Sequence, residues 1–454
     1  MLDKLKGYLA GVDADYADLR YEVKKVNSVS FAGRELTGVG SNATDGFVCR
    51  VLAGGGLASA AFTREADAPK ALAAAAENAR LIGRNIKKPV TLAKVPAVKD
   101  AFKPFLQEDP RNIAMEEKLA LLRRYNEIPL GQEKVATTTM AYADSTRERT
   151  FVSTEGHEVR EDLVTTRVVG EIIARDGSLS QNVRVAVGGS QGFHHVRGQE
   201  AAFEARTKIA LDLLKAEPVR GGSYDCVLNP SLAGVFAHEA FGHFSEADIV
   251  ETLPAMRERM RLGAKLGSDI LSITDDATLP DQLGFYKYDD EGVLVRRRKL
   301  LENGVLVGRL HSRRTAAEFG EEPSGHTVAE DYRYAPIVRM GTIFIERGEH
   351  TLEALFEKLG DGLYVLDAKG GQTAGEDFSF GAQYGYEVRG GKKGRMVRDL
   401  NVSGNLYTTL MAVTAVGADF DLAKAGGCGK GQTNIRSCHG APHVLIKNLV
   451  VGGA

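Results

Sequence analysis

Cysteine is scarce: four residues in 454 are too few for a disulfide framework and suit a reducing compartment. No apolar run approaches the ~18 residues that a membrane-spanning helix needs, so a membrane partner is not expected. The opening segment, MLDKLKGYLAGVDADYADLRYEV, carries Asp3, Asp13 and Asp15 and lacks the apolar core of a signal peptide. A charge excess is missing too. Lys+Arg 58 against Asp+Glu 60 leaves −2, so nothing global points to nucleic acid or to an anionic lipid surface. These absences predict a cytoplasmic protein with neither nucleic acid nor membrane as a partner. What is present is ordinary globular usage, 43% hydrophobic and 26% charged residues, in a chain long enough for two or three domains at ~150 residues each.

Patterning predicts an α+β chain. DLRYEV, VNSVSFAG, LTGVGS, GFVCRVLA and GLASAAFT, between Tyr16 and Thr63, read as short strands broken at Gly and Asn. The Ala-rich, acid-led DAPKALAAAAENARLI then reads as a helix. The stretch KKPVTLAKVPAVKDAFKP has no clear period and reads as a surface connection, and MEEKLALLRRYNEI has helical spacing. Strands return between Val135 and Gly188, followed by a helix over Gly198–Ala216. Strands then helix therefore occurs twice, as an internal duplication or as one layered architecture. EPVRGGS at 217–223 interrupts both periods and predicts a boundary between an N-terminal mixed strand-and-helix domain, 1–216, and a β-rich domain, 217–454. The second domain carries Asn303-Gly304, a strong hairpin signal. Its glycine-rich run GGQTAGEDFSFGAQYGYEVRGGKKG suits a curved sheet or barrel.

The chemistry concentrates in NPSLAGVFAHEAFGH. Asn229 is a good N-cap and Pro230 fits the first helical position. The apolar helix that follows delivers His238, Glu239 and His243. Zinc proteases commonly use His-Glu-x-x-His, in which i and i+4 share a face. Here the spacing is one residue longer, and on a straight α-helix i and i+5 stand about 140° apart. Either a π-bulge aligns the imidazoles or Gly242 ends the helix and redirects His243. The competing reading is a buried helix with hydrogen-bonded core histidines. Against it, burying two His and a Glu is costly unless something satisfies them.

A metal would need a third ligand. Cys49 and Cys226 sit within strand patterns and read as structural thiols. Cys428, in AGGCGKGQ, is exposed by its glycine neighbours. Cys438, His439 and His443 could instead join Cys428 in a separate zinc cluster, although the spacing matches no familiar finger. GGCGKGQ is not a phosphate loop, since Lys430 is followed by Gly and no helix follows. No hydrophobic or charged specificity pocket is legible in the C-terminal half.

These segments resemble the TldD/PmbA metalloprotease family, the modulators of DNA gyrase. The resemblance rests on HEAFGHFSEAD, FYKYDDEG, LLENGVLVGRLHSR, RYAPIVRM, GGQTAGEDFSFGAQYGYEVRGGK and GGCGKGQ, in order, and covers nearly all of 217–454. The glycine-bracketed cysteine resembles the TldD-type, catalytic branch. The resemblance implies zinc (Zn2+) held by His238, His243 and Cys428, with Glu239 as general base. It further implies a dimer, either homodimeric or heterodimeric with an inactive PmbA-type paralogue, enclosing a site for flexible peptide substrates. RSCHGAPH, with its additional Cys438-His439 pair, departs from the family pattern. Two functions follow as expectations: a zinc endopeptidase acting on unfolded or leader peptides, or a non-catalytic scaffold subunit that modulates a partner.

Overall fold

The computed structural model of the chain describes residues 1–424 and 426–452; Ala425, Gly453 and Ala454 lie outside the described residues. It opens with a helix the sequence reading did not anticipate, α1 (Leu2–Leu9), which buries Leu5 and Leu9 among Leu19, Val51 and Leu72. The segments expected as short strands are instead fused into long ones. β1 (Tyr16–Ala32) and β2 (Glu35–Ala53) each absorb two, and β3 (Gly56–Phe62) follows. Antiparallel pairing of β1 with β2 runs through Gly38, Gly40 and Gly46. The ladder hydrogen bonds to β1 carry the strand across residues that local propensity marks as breaks.

α2 (Ala68–Asn85) packs on β2 and β3. The expected surface connection is irregular except for β4 (Lys99–Phe102), which runs parallel to Glu158–Glu161. After α3 (Met115–Leu130) come β5 (Val135–Ser153), β6 (Glu158–Asp176) and β7 (Leu179–Ser190), then α4 (Glu200–Leu213). β1 pairs with β5. The two strand-then-helix series are thus halves of one sheet, ordered β3-β2-β1-β5-β6, with β7 and β4 on the far side of β6.

The C-terminal portion is organised around a closed barrel. Gly362–Ala374 lies parallel to Gly222–Leu228, which pairs with Val444–Gly452. The circuit continues through Asn401–Asn405 and Asp377–Arg389 and returns to Gly362–Ala374. Closure leaves this sheet no free edge along the circuit. A second sheet contains Ile273–Asp275, Thr342–Ile345 and Cys438–Ala441. Its hairpin Arg298–Glu302/Val305–Leu306 turns at Asn303 and Gly304, both with positive φ (48° and 73°), as the sequence predicts. Between barrel and second sheet runs the helix α5 (Pro230–Ala237).

A buried ionic seam fixes the N-terminal sheet against the C-terminal portion. Arg20 meets Asp290 at 3.0 Å, Arg147 meets Glu22 at 2.6 Å, and Arg149 pairs with both Glu161 and Asp290. Arg50 bridges Asp18 and Glu291 at 2.5 and 2.7 Å. Two acids of FYKYDDEG, Asp290 and Glu291, are therefore joints between the N-terminal sheet and the C-terminal portion. Burial alone would raise Asp290, but Arg147, Arg20 and Arg149 hold its carboxyl far below the usual range.

Candidate metal centre

The helix begins as its sequence dictates. Asn229 accepts a hydrogen bond from the Leu232 N–H at 3.0 Å, and Pro230 occupies the first turn. The Asn229 amide also donates to Asp367 on the barrel strand at 2.8 Å, which sets the helix against the barrel. A glycine at 234 lets the helix lie against the second sheet, since a Cβ there would stand 3.0 Å from the Gly440 nitrogen.

From His238 to Gly242 the helix becomes π-helical, and the His243 N–H donates to the His238 carbonyl five residues back. Of the two irregularities open to this spacing, the bulge is the one formed. It brings the imidazoles to 5.1 Å between ring centroids, with their planes perpendicular. Gly242 does not end the helix. It admits the wider turn against Met340 and Ile343, where a Cβ would lie 2.1 Å from the Met340 sulfur. A short α-helical turn, His243–Ser245, follows.

Cys428 reaches this turn from the glycine-rich loop. Its Sγ lies 3.5 Å from His243 Nε2, and donor atoms of His238, His243 and Cys428 all lie within 4.8 Å of one another. Reciprocal backbone hydrogen bonds between Cys428 and Ile435, each 3.0 Å, close the loop into a narrow hairpin. Lys430 pins it to the helix side, with Nζ 2.8 Å from Asp248 and 3.1 Å from Glu246.

Cys438, His439 and His443 do not converge with Cys428. Cys438 is buried in a strand, its Sγ 3.1 Å from the Ala423 carbonyl, and burial pushes its thiol up to about 12. His443 is 2.6 Å from Asp419 and 2.9 Å from the Tyr364 hydroxyl. His439 faces His238 at 6.2 Å between centroids, and burial lowers it to about 4. Cys49 and Cys226 are buried strand thiols, as their patterns suggested.

The electrostatics separate the two histidines. Burial, with His243, His439 and Arg339 nearby, pushes His238 far below the usual histidine range, so it stays neutral. Its Nδ1 is shielded from solvent and has no hydrogen-bond partner among the described residues. Burial would lower His243 as well, but hydrogen bonds to Cys428 and Glu246 outweigh it and raise the ring to about 10. Glu246 is fully buried, yet Lys430, Arg339 and His243 bring its carboxyl down to about 2. It takes His243 Nδ1 at 3.2 Å, the kind of outer partner that orients a ligating imidazole. Glu246, Lys430 and Arg339 were not singled out from the sequence. Glu246 could have been found from its i+3 spacing to His243, whereas Arg339 comes from a distant segment without a local signal.

Two imidazoles and one thiol, with the buried His238 Nδ1 left without a partner among the described residues, form a donor set suited to zinc. Glu239 stands beside them, its Oε2 3.8 Å from His243 Nε2. The Thr373 hydroxyl lies 2.7 Å from the Glu239 carbonyl oxygen and 3.0 Å from Oε2. All four residues line a cavity of about 1300 Å³. Its opposite wall is the N-terminal sheet and α4, through Arg167, Val169, Arg184 and Arg206.

Comparison with known proteins shows the family. Residues 221–453 match the PmbA/TldA metallopeptidase C-terminal domain, 17–82 match domain 1, and 108–215 match the central domain. A metalloprotease of Synechocystis sp. is 34% identical over 443 residues, covering 97% of this chain and 95% of the relative. A zinc metalloprotease TldD homolog of Saccharolobus solfataricus is 29% identical over 342 residues, 74% of this chain and 76% of its own. The crystal structure of TldE from Thermococcus kodakarensis shares the fold, with a TM-score of 0.78 at 17% identity over 100% of this chain and 99% of that one. With matching domains along most of its length and a near full-length relative above the level of chance resemblance, the chain belongs to the TldD/PmbA metallopeptidase family.

Proposed function

We propose that the chain is a zinc-dependent endopeptidase acting on flexible peptides inside the cavity. The observation that carries this reading is the convergence of His238, His243 and Cys428 within 4.8 Å beside Glu239. The zinc name of the Saccharolobus relative supports the choice of metal. When bound, zinc supplies Lewis acidity toward the scissile carbonyl and acidifies the attacking water.

The remaining steps belong to the protein. His238, kept neutral by burial, offers a lone pair, and Glu246 orients the His243 ring. Glu239 takes the proton of the attacking water and returns it to the leaving amine. Thr373 holds the Glu239 carboxylate toward the cavity through its hydroxyl. Enclosure between sheet and barrel favours an extended chain over a folded domain, whose bonds are held in secondary structure. The active form is a dimer, with itself or with a PmbA-type paralogue.

The test is Glu239→Ala. Hydrolysis of an unstructured reporter peptide should fall by about 10²–10⁴-fold while zinc content by metal analysis stays at the wild-type level. Loss of the metal in this variant would make Glu239 a ligand and overturn the role assigned to it.

A further inference from the structure

Beside the metal cavity lies a smaller chamber of about 180 Å³, the space of about six water molecules. Arg167, Gly426 and Asn434 line both spaces, so the chamber adjoins the cavity along the glycine-rich loop that carries Cys428. Its cations are Lys24, Arg147, Arg149, Arg167 and Arg436, against the carboxylates Asp144 and Glu330.

Several of these groups are already engaged. Arg147 and Arg149 belong to the seam with Glu22, Glu161 and Asp290. Asp144 pairs with Lys118 at 2.7 Å. Glu330 accepts the backbone N–H groups of Thr433 and Asn434 at 2.8 and 3.1 Å. Lys24, Arg167 and Arg436 are left, and none makes an ion pair among the described residues. Arg436 donates only to neutral oxygens, those of Thr165, Ser190 and Phe285.

The same imbalance shows in their protonation, since burial depresses all three. Desolvation alone lowers Arg167, it leads the lowering of Lys24, and it brings Arg436 down to about 10. Partly buried cations without an ion-pair partner, Arg167 above all, cost stability unless a ligand supplies the counter-charge. Guanidinium groups suit a planar carboxylate, which they grip through paired N–H donors.

We propose that this chamber receives a carboxylate of the bound peptide, with Arg167 at the boundary with the metal cavity as the specificity-determining contact. The carboxylate is either an Asp or Glu side chain or the peptide's C-terminus; the chemistry is the same. The inference rests on the peptidase reading and adds a preference for anionic peptides to it.

Two readouts keep the inference and that reading separable. An unstructured peptide with one Glu, its Gln counterpart, and each with a free or an amidated C-terminus are given to the zinc-loaded protein, and kcat/KM is measured. Binding of the same four peptides to Glu239→Gln is measured by fluorescence anisotropy, which needs no turnover. At least one carboxylate should improve kcat/KM and Kd on the order of ten- to a hundredfold. Arg167→Gln should collapse that ratio, and Arg167→Lys should recover part of it. A preference for Glu in amidated peptides assigns the chamber to a side chain, and a need for the free terminus assigns it to the C-terminal carboxylate. Equal or absent binding of all four peptides overturns the inference, as does a preference that survives Arg167→Gln. Binding of inorganic phosphate that depends on Arg167, without any peptide preference, overturns it in favour of a free anion. Discrimination in binding without any cleavage by the wild-type protein would retain the chamber and reject the peptidase.

Discussion

Replacing Asp290 with Asn should loosen the joint that holds the N-terminal sheet over the metal cavity. The Asp290 carboxylate faces Arg20 at 3.0 Å, Arg147 at 3.5 Å and Arg149 closer still, and it accepts the Ala329 N–H at 2.7 Å. An asparagine keeps the shape, but it removes the charge and turns an N–H2 group toward an environment made of donors. Arg20, Arg147 and Arg149 would then share only Glu22 and Glu161. Breaking a buried pair from one side costs about 3–5 kcal/mol, because the opposite charge stays buried. Urea unfolding followed by fluorescence and by circular dichroism should therefore show a midpoint clearly below wild type. Asp13→Asn serves as the control. It removes an ion pair with Arg80 in which Asp13 is fully exposed, and it should leave the midpoint unchanged. The pH dependence has a definite sign. The folded Asp290 carboxyl lies below its unfolded value of about 3.9, so its stabilisation is complete above that pH and is lost as pH falls below it. Wild type should lose stability in that acid range more steeply than Asp290→Asn. An unfolding free energy for Asp290→Asn within ~0.5 kcal/mol of wild type would refute the claim that the seam bears on stability.

Other outcomes follow from the same geometry. Cys428→Ala should lose zinc and peptidase activity, whereas Cys438→Ala, which removes a buried thiol, should keep both; metal analysis and peptide turnover decide, and the reverse pattern would shift the ligand to Cys438. Glu246→Gln should weaken zinc affinity about 10–100-fold, as loss of an outer-sphere partner does, measured by competition with a chromophoric chelator; unchanged affinity would remove Glu246 from the orienting role. Light scattering at micromolar concentration should give a dimeric mass, alone or after mixing with a PmbA-type paralogue, and a fully active monomer would contradict the assembly.

Much of the site was legible because it depends on short-range rules. Asn229 and Pro230 start α5 through an N-cap and a residue that needs no N–H donor. The extra residue between His238 and His243 announced that a straight helix could not align them. The glycines around Cys428 marked a sulfur free to meet a neighbour. Element boundaries were less legible: Gly38, Gly40 and Gly46 look like breaks locally, yet β2 runs through them because β1 supplies its hydrogen bonds. α1 was missed because a single helix of this length has too few apolar positions to show a period, and its burial comes from β-strand residues far along the chain.

The sequence by itself determined the helix start, the long spacing between His238 and His243 and the family pattern, since each is written in adjacent residues. Tertiary structure decided the rest. The π-bulge prevails over a helix end because Met340 and Ile343 pack against Gly242. Cys428 rather than Cys438 faces His243 because Cys438–Ala441 is committed to a sheet and its thiol is sealed there. Glu246 becomes an ionised buried acid only after Lys430 and Arg339 arrive from other segments. The charged chamber has no local signature at all, because Lys24, Arg167 and Arg436 become neighbours only when the N-terminal sheet closes over the barrel. Charge compensation is a property of the assembled interior, so which cation is left unpaired cannot be read from any one stretch of chain.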